Sequence, residues 1–168
     1  MKGTRRLVLA SIAGTALIAA APQALTQQKD LKKQIVGDWT LVSAYNEREG
    51  NKREPFGAKP SGYMHLGADG RFAYLIFAKD APPFAAKDRT KATPEEAAAV
   101  VHNSIAYYGT YKINEKDGTL EWKIEKSTFP NNIGSGKRSI KFSGDQMTLS
   151  NPGATAGGTN VFTWKRAK

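Results

Sequence analysis

Between residues 38 and 165 the chain runs in short stretches where apolar and polar side chains alternate, broken by turn-forming residues. Alternation with period two is the spacing of a strand that buries one face. The first stretch is Asp38 to Asn46, with Trp39, Leu41 and Ser43 on one face and Thr40, Val42 and Ala44 on the other. Glu47-Arg48-Glu49-Gly50-Asn51 is a turn, and Pro55, Gly57, Pro60 and Gly62 punctuate a loop. Tyr63–Leu66 and Arg71–Phe77 are two strands joined by Gly67-Ala68-Asp69-Gly70, whose Asp-Gly step favours a hairpin. Ile105–Asn114 and Thr119–Ser127 follow, and in the second Leu120, Trp122 and Ile124 alternate with Glu121, Lys123 and Glu125. Lys137–Ser143, Gln146–Ser150 and Thr159–Lys165 complete the series. Eight strands joined mostly in sequence predict an all-β fold, an eight-stranded antiparallel up-and-down barrel whose closure removes the exposed sheet edges. A two-sheet sandwich is the alternative.

One segment breaks the period. Thr93 is an N-cap, Pro94 the first helical residue, and Glu96 completes a capping box. Ala97, Val100 and Val101 then fall on one helical face, and the helix is expected to end near Asn103. With the loop Lys79–Lys91 and its Pro82-Pro83 step, this short inserted helix reads either as a cover over one barrel mouth or as a buttress on the outer wall, its small apolar stripe docked weakly.

The N-terminus belongs to a different class of segment. Lys2, Arg5 and Arg6 precede an apolar, alanine-rich run, Leu7 to Ala21, and the turn-prone Pro22-Gln23-Ala24. This is the pattern of an export signal, with twin-arginine character at Arg5-Arg6. The expected organisation is a signal peptide at 1–26, a lysine-rich lead-in at 27–36 with a helical turn near Leu31–Ile35, and a barrel domain at 37–168. The mature protein is expected in the periplasm or secreted, without an integral membrane segment, as a monomer or weak homodimer. The chain has no cysteine, which excludes disulfides, thiol catalysis, thiolate metal sites and a lipidated N-terminus. The net charge is +10, and removing Lys2, Arg5 and Arg6 leaves +7. Lys112, Lys123, Lys126, Lys141 and Lys165 alternate with apolar neighbours along strands, so the charge is a solvated face and no nucleic-acid partner is expected.

The order of features resembles the bacterial lipocalin-like domain family of calycin-type β-barrels. The matching pieces are Gly37-Asp38-Trp39-Thr40-Leu41-Val42-Ser43; Pro55-Phe56-Gly57, Pro60 and Gly62-Tyr63-Met64; and Asp69-Gly70-Arg71. Tyr107, Gly109, Tyr111, Phe129-Pro130-Asn131, Gly134, Arg138, Phe142, Gly144-Asp145 and Leu149 continue the match. Where that family usually has an aromatic after Phe-Pro-Asn, this chain has Asn132-Ile133. The resemblance implies a barrel closed at one end by Trp39 and a cavity, and carries over no catalytic set.

Candidate chemistry is sparse. His65 and His102 lie on different elements without metal-ligand spacing, so no metal and no cofactor are expected. Gly134-Ser135-Gly136-Lys137 lacks the first glycine and the Ser/Thr of a phosphate loop, and no nucleophile elbow is present. Arg138 is in phase with Ile140 and Phe142, and a guanidinium on an inward face needs partners. The expectation is that it stacks on Trp39, making Gly37, Trp39 and Arg138 the barrel closure; the alternative is that it anchors an anionic head group. The interior is expected to carry Tyr63, His65, Phe72, Tyr74, Tyr107, Tyr111, Trp122 and Arg138 as ligand-binding residues, with Phe162 and Trp164 also turned inward. The function these imply is binding of a small apolar or amphipathic molecule inside the barrel. A cyclase or isomerase of the allene-oxide-cyclase type, or an interaction module with a filled core, are the readings of other classes.

Overall fold

The computed structural model describes residues 31–168, so the expected signal peptide at 1–26 and the first part of the expected lead-in lie outside the described residues. In chain order the elements are α1 (Leu31–Ile35), β1 (Gly37–Arg48), β2 (Asn51–Arg53), β3 (Ser61–Leu66), β4 (Arg71–Phe77), α2 (Pro94–Asn103), β5 (Ser104–Asn114), β6 (Thr119–Ser127), β7 (Gly134–Ser143), β8 (Gln146–Asn151) and β9 (Thr159–Arg166). Each strand from β3 to β9 pairs antiparallel with the next, and β9 returns to pair with β1, which also pairs with β3. Eight strands therefore close an up-and-down barrel. β2 stands apart as a short hairpin on the end of β1, turned at Glu49 and Gly50, both at positive φ (52° and 80°). Positive φ at two successive positions is the tight-hairpin geometry, and it makes a strand pair of a segment the sequence pattern marks only as a turn.

The connections sort by length onto the two ends. β3–β4, β5–β6 and β7–β8 are joined by tight turns at one end, beside the entry from α1. The longer links β1–β3, β4–β5, β6–β7 and β8–β9 all lie at the other end, and α2 is in the second of them. One barrel end is thus compact and the other is framed by loops.

Inward side chains form one continuous core that includes Trp39, Met64, Leu66, Phe72, Tyr74, Trp122, Leu149 and Trp164. The alternation in β1 is interrupted: the register with β9 slips between Leu41 and Ser43. The extra residue leaves Val42 48% exposed and brings Ala44 to the core, where strict alternation had placed Ser43. A second slip lies in the β5–β6 ladder beside Gly109, where an added Cβ would strike the Lys123 carbonyl, so only glycine fits the close approach.

α2 starts as its sequence requires. Thr93 caps Glu96 N–H, and the Glu96 carboxylate accepts from the N–H groups of Thr93 and Ala85. Its apolar stripe is not docked, however. No α2 residue is buried, and Val100 and Val101 are exposed. The helix is held at its C-terminal end, where Ala78 N–H donates to Asn103 O (2.7 Å) and Ser104 Oγ to Val100 O (2.7 Å). Side chains as small as Ala97 and Val100 offer too little area to hold it against the wall.

Candidate functional site

The compact end is a plug built around Trp39, which is 1% exposed. Its indole Nε1–H donates to Ile35 O at 2.9 Å, and Leu31 and Ile35 of α1 are themselves buried. The second half of the lead-in is therefore part of the core. Against the expectation for Arg138, the cation over the Trp39 ring is Arg166, with its guanidinium carbon 4.4 Å from the ring centroid. Arg166 also donates from Nη1 to Val36 O and from Nη2 to Gln34 O, which ties the last strand to the segment before the first. Gly37 makes this possible. It sits at φ +133°, and a Cβ there would lie 2.6 Å from Arg166 Nη1. The glycine and the tryptophan of the opening motif thus serve one arginine at the far end of the chain. That arginine is in phase with Phe162 and Trp164, a signal masked by its place in the basic tail Lys165-Arg166-Ala167-Lys168.

Arg138 lies elsewhere. It is partly buried on the inward face of β7, with its guanidinium 5.7 Å from the Trp122 ring centroid. Its Nη1 donates to the Lys137 carbonyl at 2.9 Å, and a Cβ on Gly136 would stand 3.2 Å from that nitrogen, so the glycine leaves room for the side chain to fold back. Among the described residues Arg138 is in no ion pair.

Below it is a cluster of rings. Tyr74 and Tyr107 stack at 4.4 Å and 18°, and Trp122 meets Phe72 at 4.5 Å. Trp164 and Phe162 approach Tyr74 edge-on at 5.2 and 5.9 Å. Three polar atoms in this cluster are buried without a partner: Tyr74 Oη, Trp122 Nε1 and Trp164 Nε1. Burial raises the Tyr107 hydroxyl to a pKa of about 12, with the Arg138 charge pulling against it. Burial likewise raises Tyr74 well above the ordinary tyrosine value. Both hydroxyls are therefore protonated at neutral pH. Tyr111, also inward, differs: its hydroxyl is satisfied by Gly67 O at 2.7 Å and anchors the β3–β4 turn.

Tyr63 and His65, expected in the interior, are on the outer face, because Met64 and Leu66 take the inward phase of β3 with no exposure at all. Outside, they share one carboxylate. Tyr63 Oη donates to Asp38 Oδ1 at 2.6 Å and His65 Nδ1 lies 2.7 Å from the same oxygen. The Tyr63 hydrogen bond, then that of His65, lowers the Asp38 pKa below its ordinary value. His102 is exposed in the last turn of α2. An open groove of about 370 Å³ runs on the same outer wall, lined by Ala73, Leu75, Ala106, Tyr108, Lys126 and Thr128 among others.

The lipocalin-like domain model matches residues 36–167. The chain belongs to the lipocalin-like domain family. No curated protein matches it. The matched span of this lipocalin-like chain includes Gly37, Trp39 and Arg166, so the three parts of the plug fall inside the family domain, as do Arg138 and every ring of the interior cluster. A lipocalin-like barrel fits ligand binding in general, and among its described residues no helix is long and apolar enough to cross a membrane.

Proposed function

We propose that this lipocalin-like barrel binds a small, largely apolar molecule in its interior, and that it does so in the periplasm or outside the cell after removal of the N-terminal signal. The observation that carries the reading is the buried, partnerless Tyr74 hydroxyl, seated with two partnerless indole N–H groups in an otherwise aromatic interior. A buried polar group left unpaired costs about 1–3 kcal/mol, and three in one cluster are unusual for a finished core. A ligand that enters and accepts those hydrogen bonds removes the cost, while Phe72, Ile124, Leu149 and Phe162 supply apolar walls. Entry is assigned to the end framed by the long loops, since the other is plugged. α2, tethered at its C-terminal end with Val100 and Val101 in solvent, is the element that yields.

Native mass spectrometry of protein purified from its own host tests this reading. A retained small molecule of defined mass, displaced by apolar probes that quench Trp122 and Trp164 fluorescence, is expected. Protein that is ligand-free and indifferent to such probes would overturn it. N-terminal sequencing of the exported protein is expected to begin between Ala20 and Gln28; an intact Met1 would overturn the export step.

A further inference from the structure

On β6 and β7 the outward strand positions are polar or charged: Glu121 and Lys123, then Lys137, Ser139 and Lys141. The neighbouring sector of the outer wall departs from this. Its outward positions are Ala73 and Leu75 on β4 and Ala106 and Tyr108 on β5, with Ala73 opposite Tyr108 and Leu75 opposite Ala106 in the ladder. Two methyl side chains among longer neighbours leave a depression, and this is the groove of about 370 Å³. Tyr108 stands at its edge, half-exposed. Lys126, opposite Tyr108 on β6, and Thr128 close the far side. An exposed apolar patch rimmed by polar groups is the form of a binding groove, and ligand sites run from about 300 to 1,000 Å³.

We infer that this groove is a second binding site, outside the barrel, for a small aromatic anion: a rigid planar ring lying on Ala73 and Ala106 beside Tyr108, with its negative charge at Lys126. The inference stands apart from the interior-binding reading above. The charge follows from the lining. Lys126 is the one ionised residue that lines the groove, and no acid does. Among the described residues Lys126 is in no ion pair, and its chain neighbour Glu125 is engaged by Arg71 at 3.4 Å. Thr128 adds a hydroxyl that is free to donate, since its oxygen accepts from Ala106 N–H at 3.0 Å. An anion is therefore matched here and a cation is opposed. The ring follows from the shape. The groove is open to solvent, so a flexible chain laid in it would lose rotamer freedom while staying half wet, whereas a rigid ring has no such freedom to lose. Tyr108 offers it an aromatic partner, and ring pairs attract beyond the area they bury. The net charge of +10 draws anions at long range and works against a second copy of the chain on this face.

The test uses three probes that share a ring system and differ in charge, naphthoate, naphthalenemethanol and naphthylmethylammonium, titrated into the purified protein and followed by NMR. Naphthoate is expected to show intermolecular NOEs from its ring protons to the Ala73 and Ala106 methyl groups. It is also expected to bind about fivefold more tightly than the alcohol, which is the effect of one exposed ion pair, with the ammonium probe weakest. Lys126→Gln is expected to remove that margin and leave naphthoate and the alcohol equal. Ala106→Leu fills the floor from an outward position and is expected to weaken naphthoate at least about tenfold. Should Ala106→Leu not fold, the NOEs, the ranking of the three probes and Lys126→Gln still decide. The alcohol or the ammonium probe binding as tightly as naphthoate would overturn the anion assignment. NOEs confined to inward side chains such as Phe72 and Trp122, with affinity unchanged in Ala106→Leu, would overturn the outer site and leave interior binding standing. Failure of naphthoate to bind would overturn the outer site as well.

Discussion

The plug and the ring cluster are built from the same kinds of residue, and they differ in how their polar atoms end up. At the plug, the Trp39 indole N–H reaches Ile35 O, Arg166 reaches two backbone carbonyls and an aromatic face, and Tyr111 reaches Gly67 O. In the ring cluster a tyrosine and two tryptophans reach nothing. Buried polar groups are ordinarily paired, so the plug is the finished region and the cluster is the one left chemically incomplete, which is what the proposed ligand binding rests on. The lesson is that a barrel interior can be dense with aromatic side chains and still be chemically incomplete. Counting rings does not separate a filled core from a binding site; counting their unpaired donors does.

The largest effect is expected from breaking the plug. Trp39→Ala removes an indole that is 1% exposed and is expected to cost about 3–5 kcal/mol in chemical denaturation. Next is an alkaline limit set in the ring cluster. Tyr107 titrates near 12 in the fold against an ordinary value of 10.0. Its folded pKa is raised, so the contribution is fully present below pH 10 and is lost as pH climbs toward 12, because the unfolded chain releases the proton first. About 2–3 kcal/mol of stability is expected to disappear over that interval from Tyr107 alone. Absorbance of tyrosinate should show the Tyr74–Tyr107 pair ionising only as the barrel opens. Smallest is the coupling within the plug. A double-mutant cycle of Trp39→Phe with Arg166→Ala is expected to show non-additivity of about 0.5–1 kcal/mol for a cation over an aromatic face at an exposed site. The same cycle with Arg138→Ala in place of Arg166→Ala should be additive, since Arg138 lies over Trp122.

Much of the barrel was legible in the alternation, because Asp69-Gly70 and the β6 run of Leu120, Trp122 and Ile124 each have one natural reading. The capping box at Thr93 and Glu96 located α2 for the same reason. Three features were not legible, each for a physical cause. The bulge at Val42 inserts a residue that alternation cannot register, so Ala44 and Ser43 exchange faces. In Tyr63-Met64-His65-Leu66 both phases carry substantial apolar surface, and the choice is made by β1 and β4, whose inward Trp39 and Tyr74 sit opposite Met64. Arg138 and Arg166 are both in phase with buried aromatics, and only the return of β9 onto β1 tells which one meets Trp39. The inward residues on long, regular strands, Phe72, Tyr74, Tyr107, Tyr111 and Trp122, were placed by pattern alone; what each hydroxyl or indole bonds to was not, because that depends on neighbours far along the chain.

The most direct measurement compares two buried tyrosines in ligand-free protein. Tyr111→Phe deletes a hydroxyl bonded to Gly67 O and is expected to cost about 1 kcal/mol. Tyr74→Phe deletes one with no partner and is expected to leave stability unchanged or raise it by about 1 kcal/mol. Opposite signs, or a clear loss in Tyr111→Phe beside none in Tyr74→Phe, are the predicted result. A loss in Tyr74→Phe as large as that in Tyr111→Phe would mean that the Tyr74 hydroxyl is already satisfied within the protein, and would contradict an interior that waits for a ligand.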